Sequence, residues 1–298
     1  MIKSFSEIRR RVSERTGQVL AVAGAAHAST LEAVAAAREA GVAEAVLVGS
    51  EAEIRAAADK AGVEAAGEIV DVAGDTAIAA RAVELVRAGK AGMVMKGAVS
   101  TGTLLKAVLD KERGLRSGKL LSHIAALEVP GQERLLWVTD GGMNICPDLP
   151  TKAAILHNAV ASLRKLGYQR PRAAVLGAVE KVNPDMPDTL DAASLTQMAA
   201  RGQFGPCEVD GPLALDLAVS AEAAAIKGIG GEVVGRADIL LVPDIRAGNI
   251  FAKGLLYLAG AKIGGLIAGA AAPIVLLSRA DDAETKLNSI ALCTACTL

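Results

Sequence analysis

The sequence predicts an α/β protein made of two doubly wound domains, in which helices cover both faces of mostly parallel sheets. Short apolar runs alternate with alanine-rich helical stretches over the first 110 residues, and a second alternating series follows further along the chain. Hydrophobic residues make up 52% of the 298 residues, whereas aromatic residues make up only 2%. Alanine, valine and leucine must therefore build the core, which fits helices packed closely on a sheet.

The first series contains four strand–helix units whose ends are marked by glycines and helix-capping residues. Strands are predicted at residues 18–23, 45–48, 69–72 and 92–95. The helices between them are predicted at residues 29–40, 50–61 and 75–88, and a glycine follows each of them. Ser50 and Glu53 form a capping box, which predicts the start of the second helix.

The second series begins after a stretch rich in glycine and proline, residues 139–147, where we place the domain boundary. Strands are predicted at 120–129 and 134–138 before it and at 173–176, 239–242 and 274–277 after it, with helices at 151–166, 188–200, 212–225 and 248–259. The first domain then comprises residues 1–140 and 280–298, and the second, inserted domain comprises residues 141–279. A chain that crosses twice between domains leaves a cleft that can close on a substrate.

Composition excludes several classes of function. The formal net charge of −1 provides no basic field for nucleic acid, and few aromatic side chains are available to stack on bases. The charged, periodic N-terminal residues do not predict a signal peptide, and we expect the apolar stretch 263–278 to be too short and too broken by glycine to cross a bilayer. We therefore expect a cytoplasmic protein with no membrane partner.

Metal and cofactor chemistry lack their usual motifs in this sequence. Four cysteines in so long a chain do not form a disulfide framework. Cys293 and Cys296 have no second cysteine pair and no nearby histidine, so we expect them to pack in the core. No dinucleotide fingerprint follows a predicted strand, and no serine hydrolase elbow is present. We expect no metal and no bound cofactor.

A polar cluster follows the last predicted strand. The strand ends at Ser278 and Arg279, and Asp281, Asp282 and Glu284 precede the next helix. Ligands of α/β sheets bind outside the carboxyl ends of strands, and helix N-termini attract anions. This pattern predicts an anion site. The same residues equally fit a surface turn in which Asp281 or Asp282 caps the helix.

Two further clusters follow strands in the same way. Lys96, Ser100 and Thr101 lie between the strand at 92–95 and a helix, which is a geometry that binds anions, although most such loops only cap a helix. Asp244 and Asn249 flank the start of the helix that follows the strand at 239–242. A turn with a helix cap is an equally good interpretation of this third cluster.

Six stretches spread along the chain form a combined pattern: residues 93–97, 114–123, 183–192, 209–216, 244–249 and 277–291. With them, the chain resembles the phosphate acetyl/butyryl transferase family over almost its whole length. The stretch 114–123 includes Arg116 and Ser122, which we take as substrate-binding residues together with those of the two clusters above.

This resemblance implies a fold like that of isocitrate and isopropylmalate dehydrogenases and a homodimer or larger homo-oligomer. It implies transfer of an acyl group between CoA and phosphate, giving an acyl phosphate, without a metal; butyryl is favoured over acetyl. The alternatives are a phosphate acetyltransferase acting mainly on acetyl-CoA and a non-catalytic module that senses acyl-CoA.

The resemblance also assigns roles. Ser278 and Arg279 correspond to a functional Ser-Arg pair, and Arg279 would stabilise the developing negative charge. The family's proposed thiol base is an aspartate, but Thr285 stands at about that place here. Glu284, Asp281 and Asp282 are therefore the candidate bases for the CoA thiol.

Overall fold

The computed structural model describes residues 1–14, 17–277 and 281–297. It divides the chain into two compact units. The terminal unit comprises Ser4–Lys119 and Ile263–Leu298, and the inserted unit comprises Met1–Lys3 and Leu120–Lys262. Each unit has its own strands and its own buried apolar residues.

The terminal unit starts with the predicted alternation of strands and helices. Its elements are α1 (Phe5–Ser13), β1 (Val19–Ala23), α2 (Ala28–Glu39), β2 (Glu44–Gly49), α3 (Glu51–Ala61), β3 (Glu68–Asp71), α4 (Asp75–Arg87), β4 (Met93–Lys96) and α5 (Thr101–Val108). The Oγ of Ser50 accepts the N–H of Glu53 at 3.4 Å, and Gly62 ends α3 in the left-handed conformation. The predicted start and end of this helix are confirmed.

The inserted unit contains β5 (Ser122–Glu128), β6 (Leu136–Thr139), α6 (Leu149–Lys165), β7 (Arg172–Leu176), α7 (Pro187–Ala200), β8 (Glu208–Leu213), α8 (Leu215–Val219), α9 (Ala221–Lys227), β9 (Ile239–Leu241) and α10 (Ile245–Ala259). Its strands lie in the order β5-β6-β9-β7-β8. The pair β5–β6 is antiparallel, and the other neighbours are parallel.

One helix predicted in this unit is wrong. The stretch 212–225 begins at the end of strand β8 and continues as the short helices α8 and α9, which meet at Ser220. Gly211 must remain small, since a β carbon there would lie 2.8 Å from the Cβ of Val175. The turn-like residues of β8 therefore serve close strand packing.

The chain then returns to the terminal unit through β10 (Lys262–Ala268), β11 (Ile274–Val275) and α11 (Ala283–Thr297). This unit's strands lie in the order β3-β2-β1-β4-β11-β10, all parallel except the β10–β11 pair. Cys293 and Cys296 are buried on α11, which confirms their predicted place in the core. Among the residues described, no helix is long and apolar enough to cross a bilayer.

The unit boundaries lie at 119/120 and 262/263, whereas the boundaries predicted from the sequence lie at 140/141 and 279/280. Hydrogen bonding explains the difference at both ends. Strand β6 pairs with β9, so β5 and β6 belong with the strands of the inserted unit. Strand β11 pairs with both β10 and β4, which draws the later crossing earlier in the chain.

Candidate functional site

The inserted unit has a cavity of about 630 Å³ at the carboxyl ends of β7 and β9. Leu176 and Val242, which come at these strand ends, form part of its wall. The N-terminal parts of α6, α7 and α10 complete the lining with Lys152, Asp188 and Phe251. This is the position at which sheets of parallel strands bind ligands.

A buried ion pair forms part of this cavity. The Nζ of Lys152 on α6 donates to the Oδ2 of Asp191 on α7 at 2.7 Å. The Lys152 side chain is 6% exposed and that of Asp191 is 25% exposed. Removing a charge from water is costly, and each charge of the pair offsets that cost for the other. Loss of one partner would leave the other charge buried and uncompensated. The pair therefore ties α6 to α7 beside the cavity.

Asp244 borders the same cavity as the cap of α10. Its Oδ1 accepts the N–H groups of Arg246 at 2.9 Å and Ala247 at 3.0 Å, and its Oδ2 accepts the Arg246 guanidinium at 2.7 Å. The hydrogen bond from the Arg246 side chain, aided by the Ala247 N–H, lowers the pKa of Asp244. The carboxylate is thus charged at neutral pH. The predicted capping role is confirmed.

Asn249 and Ser122, the other predicted site residues of this unit, have partners within the protein. Asn249 is exposed, and its Nδ2 donates to the carbonyl of Gly141 at 3.5 Å. Ser122 is completely buried, and its Oγ accepts from the Nδ2 of Asn158 at 2.9 Å. Neither side chain is part of the cavity lining among the described residues.

The loop after β6 is organised by a carboxylate that the sequence analysis did not single out. Asp140 is 2% exposed. Its Oδ1 accepts the N–H groups of Gly142 and Met143, each at 2.9 Å, and its Oδ2 accepts from the Nδ2 of Asn144 at 2.6 Å. The loop leads directly to Cys146, which lines the cavity. An aspartate followed by two glycines and an asparagine is the signal that predicts such a turn.

Three further residues that line the cavity, Lys152, Asp188 and Asp191, were not predicted from the sequence. Asp188 and Asp191 lie in the stretch 183–192 that carries the family resemblance, so that signal was present. Lys152 offered none, since a single lysine on a helix normally lies on a solvated face.

In the terminal unit, the predicted cluster after β4 forms a strand-to-helix junction. Lys96 ends β4 and is 7% exposed, and its Nζ donates to the carbonyl of Gly97 at 3.2 Å. Ser100 caps α5, since its Oγ accepts the N–H of Thr103 at 3.1 Å. Thr101 is the exposed first residue of the helix. The junction combines a cation, hydroxyls and helical N–H groups, which suits the oxygens of a phosphate.

Arg116 lies beside the loop that joins β10 to β11. Its backbone forms an isolated antiparallel bridge with Ala270, and the Oγ of Ser117 donates to the carbonyl of Gly269 at 2.5 Å. The Arg116 side chain is exposed. The structure therefore joins the stretch 114–123, which carries the family resemblance, to the loop between β10 and β11.

Ser278 and Arg279 lie outside the described residues. Beyond them, the Oδ1 of Asp282 accepts the N–H of Thr285 at 2.8 Å, and this hydrogen bond lowers the pKa of the Asp282 carboxyl. Asp282 is therefore a helix cap, as the alternative interpretation predicted. The carbonyl of Asp281 accepts from the Nζ of Lys286, whereas Glu284 is exposed in the first turn of α11.

Within the described parts of the chain, no group of three or more His, Cys, Asp or Glu side chains is placed to hold a metal ion. The terminal unit instead offers cations and hydroxyls at strand ends. The inserted unit offers a largely apolar cavity whose lining includes three carboxylates and Lys152. The first arrangement suits an anionic group, and the second suits a mainly apolar group.

Comparison with known proteins gives consistent results. A sequence profile of the family described as "Phosphate acetyl/butaryl transferase" matches residues 71–294. The chain is 50% identical over 293 residues to a phosphate butyryltransferase of Clostridium acetobutylicum, covering 98% of this chain and 97% of the relative. The crystal structure of a branched-chain phosphotransacylase from Enterococcus faecalis V583 matches with a TM-score of 0.82 and 34% identity, covering 94% of this chain and 99% of that one.

A more distant structure is similar in fold alone. The 4-hydroxythreonine-4-phosphate dehydrogenase of Klebsiella pneumoniae matches with a TM-score of 0.60 at 16% identity, covering 95% of this chain and all of that one. The predicted fold class, α/β and like that of dehydrogenases, is confirmed by these structural matches.

Proposed function

The chain belongs to the phosphate acetyl/butyryl transferase family, and on that premise we propose that it transfers a short acyl group between CoA and phosphate. We propose butyryl-CoA and phosphate as the main substrates, with butyryl phosphate and CoA as products. The resemblance found in the sequence is confirmed. The observation that carries this function is 50% identity to a phosphate butyryltransferase over 98% of the chain.

The protein must perform three tasks in this reaction. Phosphate must be held near the thioester, the oxyanion that forms on the acyl carbon must be stabilised, and a proton must move to or from the CoA sulfur. Phosphate attacks the acyl carbon, and the C–S bond breaks as the thiolate leaves. No covalent enzyme intermediate is needed when both substrates are bound together.

We assign these tasks to residues of the terminal unit. Lys96, Ser100 and Thr101 hold the phosphoryl oxygens, because the β4–α5 junction combines a cation with hydroxyls and helical N–H groups. Arg279 stabilises the oxyanion, and Ser278 donates a hydrogen bond to it. Both assignments come from the family's Ser-Arg pair.

We assign the transfer of the thiol proton to a carboxylate at the start of α11. The hydrogen bond from the N–H of Thr285 lowers the pKa of Asp282, which makes this carboxylate a weaker base than an ordinary aspartate. Glu284 is exposed in the first helical turn, and Asp281 is partly exposed. We therefore propose Glu284 or Asp281 as the base for the CoA thiol.

The reaction as proposed uses no metal ion and no resident cofactor, since CoA is a substrate. We also propose a homodimer or larger homo-oligomer, because α10 exposes the large apolar side chains of Ile250 and Leu258, at 72% and 90%. The cytoplasm is the proposed compartment, since the four cysteines show no pattern of a secreted disulfide framework.

One assay tests the proposal. The purified protein is mixed with butyryl-CoA and phosphate, and release of the CoA thiol is followed with a thiol reagent. We expect phosphate-dependent release that is faster with butyryl-CoA than with acetyl-CoA. The opposite preference would support a phosphate acetyltransferase, as the acetyl transferases of this family suggest. Binding of butyryl-CoA without turnover would support a sensing module.

A further inference from the structure

We propose that the inserted-unit cavity binds the acyl-pantetheine part of acyl-CoA, and that Phe251 and Ala247 set the length of acyl chain accepted. This inference rests on the proposed function, because it assigns one part of its substrate to a place in the fold. The cavity, of about 630 Å³, lies at the carboxyl ends of β7 and β9. Its volume is within the range of about 300–1,000 Å³ that is typical of small-molecule sites.

The charges of the cavity favour a neutral ligand. Among the described residues, its charged lining consists of Lys152 and the carboxylates of Asp188, Asp191 and Asp244. The Lys152 ammonium is already paired with Asp191 at 2.7 Å. Asp244 is likewise paired with the Arg246 guanidinium at 2.7 Å. Two cations then face three carboxylates, so a net charge of −1 remains, which disfavours the phosphate groups of CoA and inorganic phosphate. The acyl chain and the pantetheine arm carry no charge, whereas the nucleotide part of CoA carries the phosphate groups.

The remaining lining is largely apolar, which suits an alkyl chain. Leu176, Val242 and Phe251 contribute their side chains, and three prolines add further apolar surface, namely Pro147, Pro187 and Pro243. Carboxylates at the edge can accept hydrogen bonds from the amide N–H groups of a pantetheine arm. The cavity thus matches an alkyl group followed by an amide-containing chain.

Two residues of α10 are placed to limit the length of the alkyl chain. Ala247 and Phe251 are four residues apart, so they lie on the same face of the helix, and both line the cavity. The turn between them is held in place by Gly248, where a β carbon would lie only 2.8 Å from the Cα of Gly141. Substitutions at Ala247 and Phe251 should therefore change the space in the cavity rather than move the helix.

The first test enlarges the cavity with Phe251→Ala. We expect the ratio of kcat/KM for hexanoyl-CoA to that for butyryl-CoA to rise at least about tenfold, on the scale of discrimination for one methylene group. The control is Ile226→Ala, which removes a large apolar side chain that is 79% exposed on α9 of the same unit. This control should leave the ratio unchanged.

The second test reduces the cavity with Ala247→Leu. We expect the ratio of kcat/KM for acetyl-CoA to that for butyryl-CoA to rise by a similar factor, opposite in direction to the first variant. Ratios that stay at the wild-type value in both folded variants would overturn the inference. A uniform loss for every acyl-CoA would overturn the assigned role of Phe251 and Ala247 in chain length, because it would show that they contact only the pantetheine arm that all acyl-CoAs share.

A binding experiment separates this inference from the proposed function. Butyryl-pantetheine and hexanoyl-pantetheine lack the nucleotide phosphates, and their affinities can be measured by calorimetry even if no turnover occurs. Phe251→Ala should improve the affinity for the hexanoyl compound relative to the butyryl compound. Binding of neither compound to the wild-type protein would overturn the inference, even if acyl transfer from butyryl-CoA is observed.

Discussion

The Lys152–Asp191 pair provides the sharpest test of how the cavity is built. At 2.7 Å, two unit charges attract by about 6 kcal/mol when the effective dielectric constant is about 20. Most of this offsets the cost of desolvation, and breaking a buried pair typically costs about 3–5 kcal/mol. Asp191→Asn leaves the 6% exposed Lys152 without its counter-charge. Because Asp191 itself is partly solvated, we expect the free energy of unfolding to fall by about 3 kcal/mol, the lower end of this range.

This loss should be visible in thermal unfolding of the protein. In a domain of about 150–250 residues, 1 kcal/mol shifts the Tm by about 2–4 °C, so Asp191→Asn should lower it by about 6–12 °C. The matched control is Asp216→Asn, which breaks a 3.0 Å pair with Lys227 whose side chains are 47% and 39% exposed. Exposed pairs contribute little, so the control should barely change the Tm. Equal shifts for the two variants would refute the reasoning.

Three further predictions follow from the terminal unit. Arg279→Ala should lower kcat/KM about 100-fold or more while leaving the far-ultraviolet circular dichroism spectrum unchanged, and near wild-type turnover would exclude its assigned role. Because the pKa of Asp282 is lowered in the folded protein, its contribution to stability is present above about pH 4 and is lost as the pH falls through the lowered pKa. The urea midpoint of Asp282→Asn should therefore depend less on pH below about pH 4 than that of the wild type. The same dependence on pH in both proteins would contradict this. Gly97→Ala would place a β carbon 2.0 Å from the carbonyl oxygen of Gly24, so it should destabilise by about 1–3 kcal/mol in urea unfolding, whereas Gly102→Ala, which has space, should not.

Local sequence signals predicted much of the terminal unit. Strand β4 and helix α3 were predicted because apolar runs, glycines and the Ser50 capping box all indicate the same boundaries. Strand β10 was not predicted, because Gly264 and Gly265 look like a break. Gly264 is instead required by packing, since a β carbon there would lie 2.9 Å from the Phe5 ring. Such a contact joins distant parts of the chain and leaves no local signal.

Local sequence signals predicted only part of the candidate site. Asp244 and Ser100 follow strands and cap helices, so their positions can be inferred from the adjacent sequence. Lys152 could not be inferred in this way, because its burial depends on Asp191, which lies 39 residues further along the chain. The cavity therefore emerges only when α6 and α7 are packed on the sheet.

The most direct test of the central claim is detection of the acyl phosphate itself. The protein is incubated with butyryl-CoA and phosphate, and the products are followed by ³¹P nuclear magnetic resonance. We predict a new signal from butyryl phosphate that grows in proportion to the CoA thiol released. Release of thiol without that signal, or no turnover at all with any short acyl-CoA, would contradict acyl transfer to phosphate.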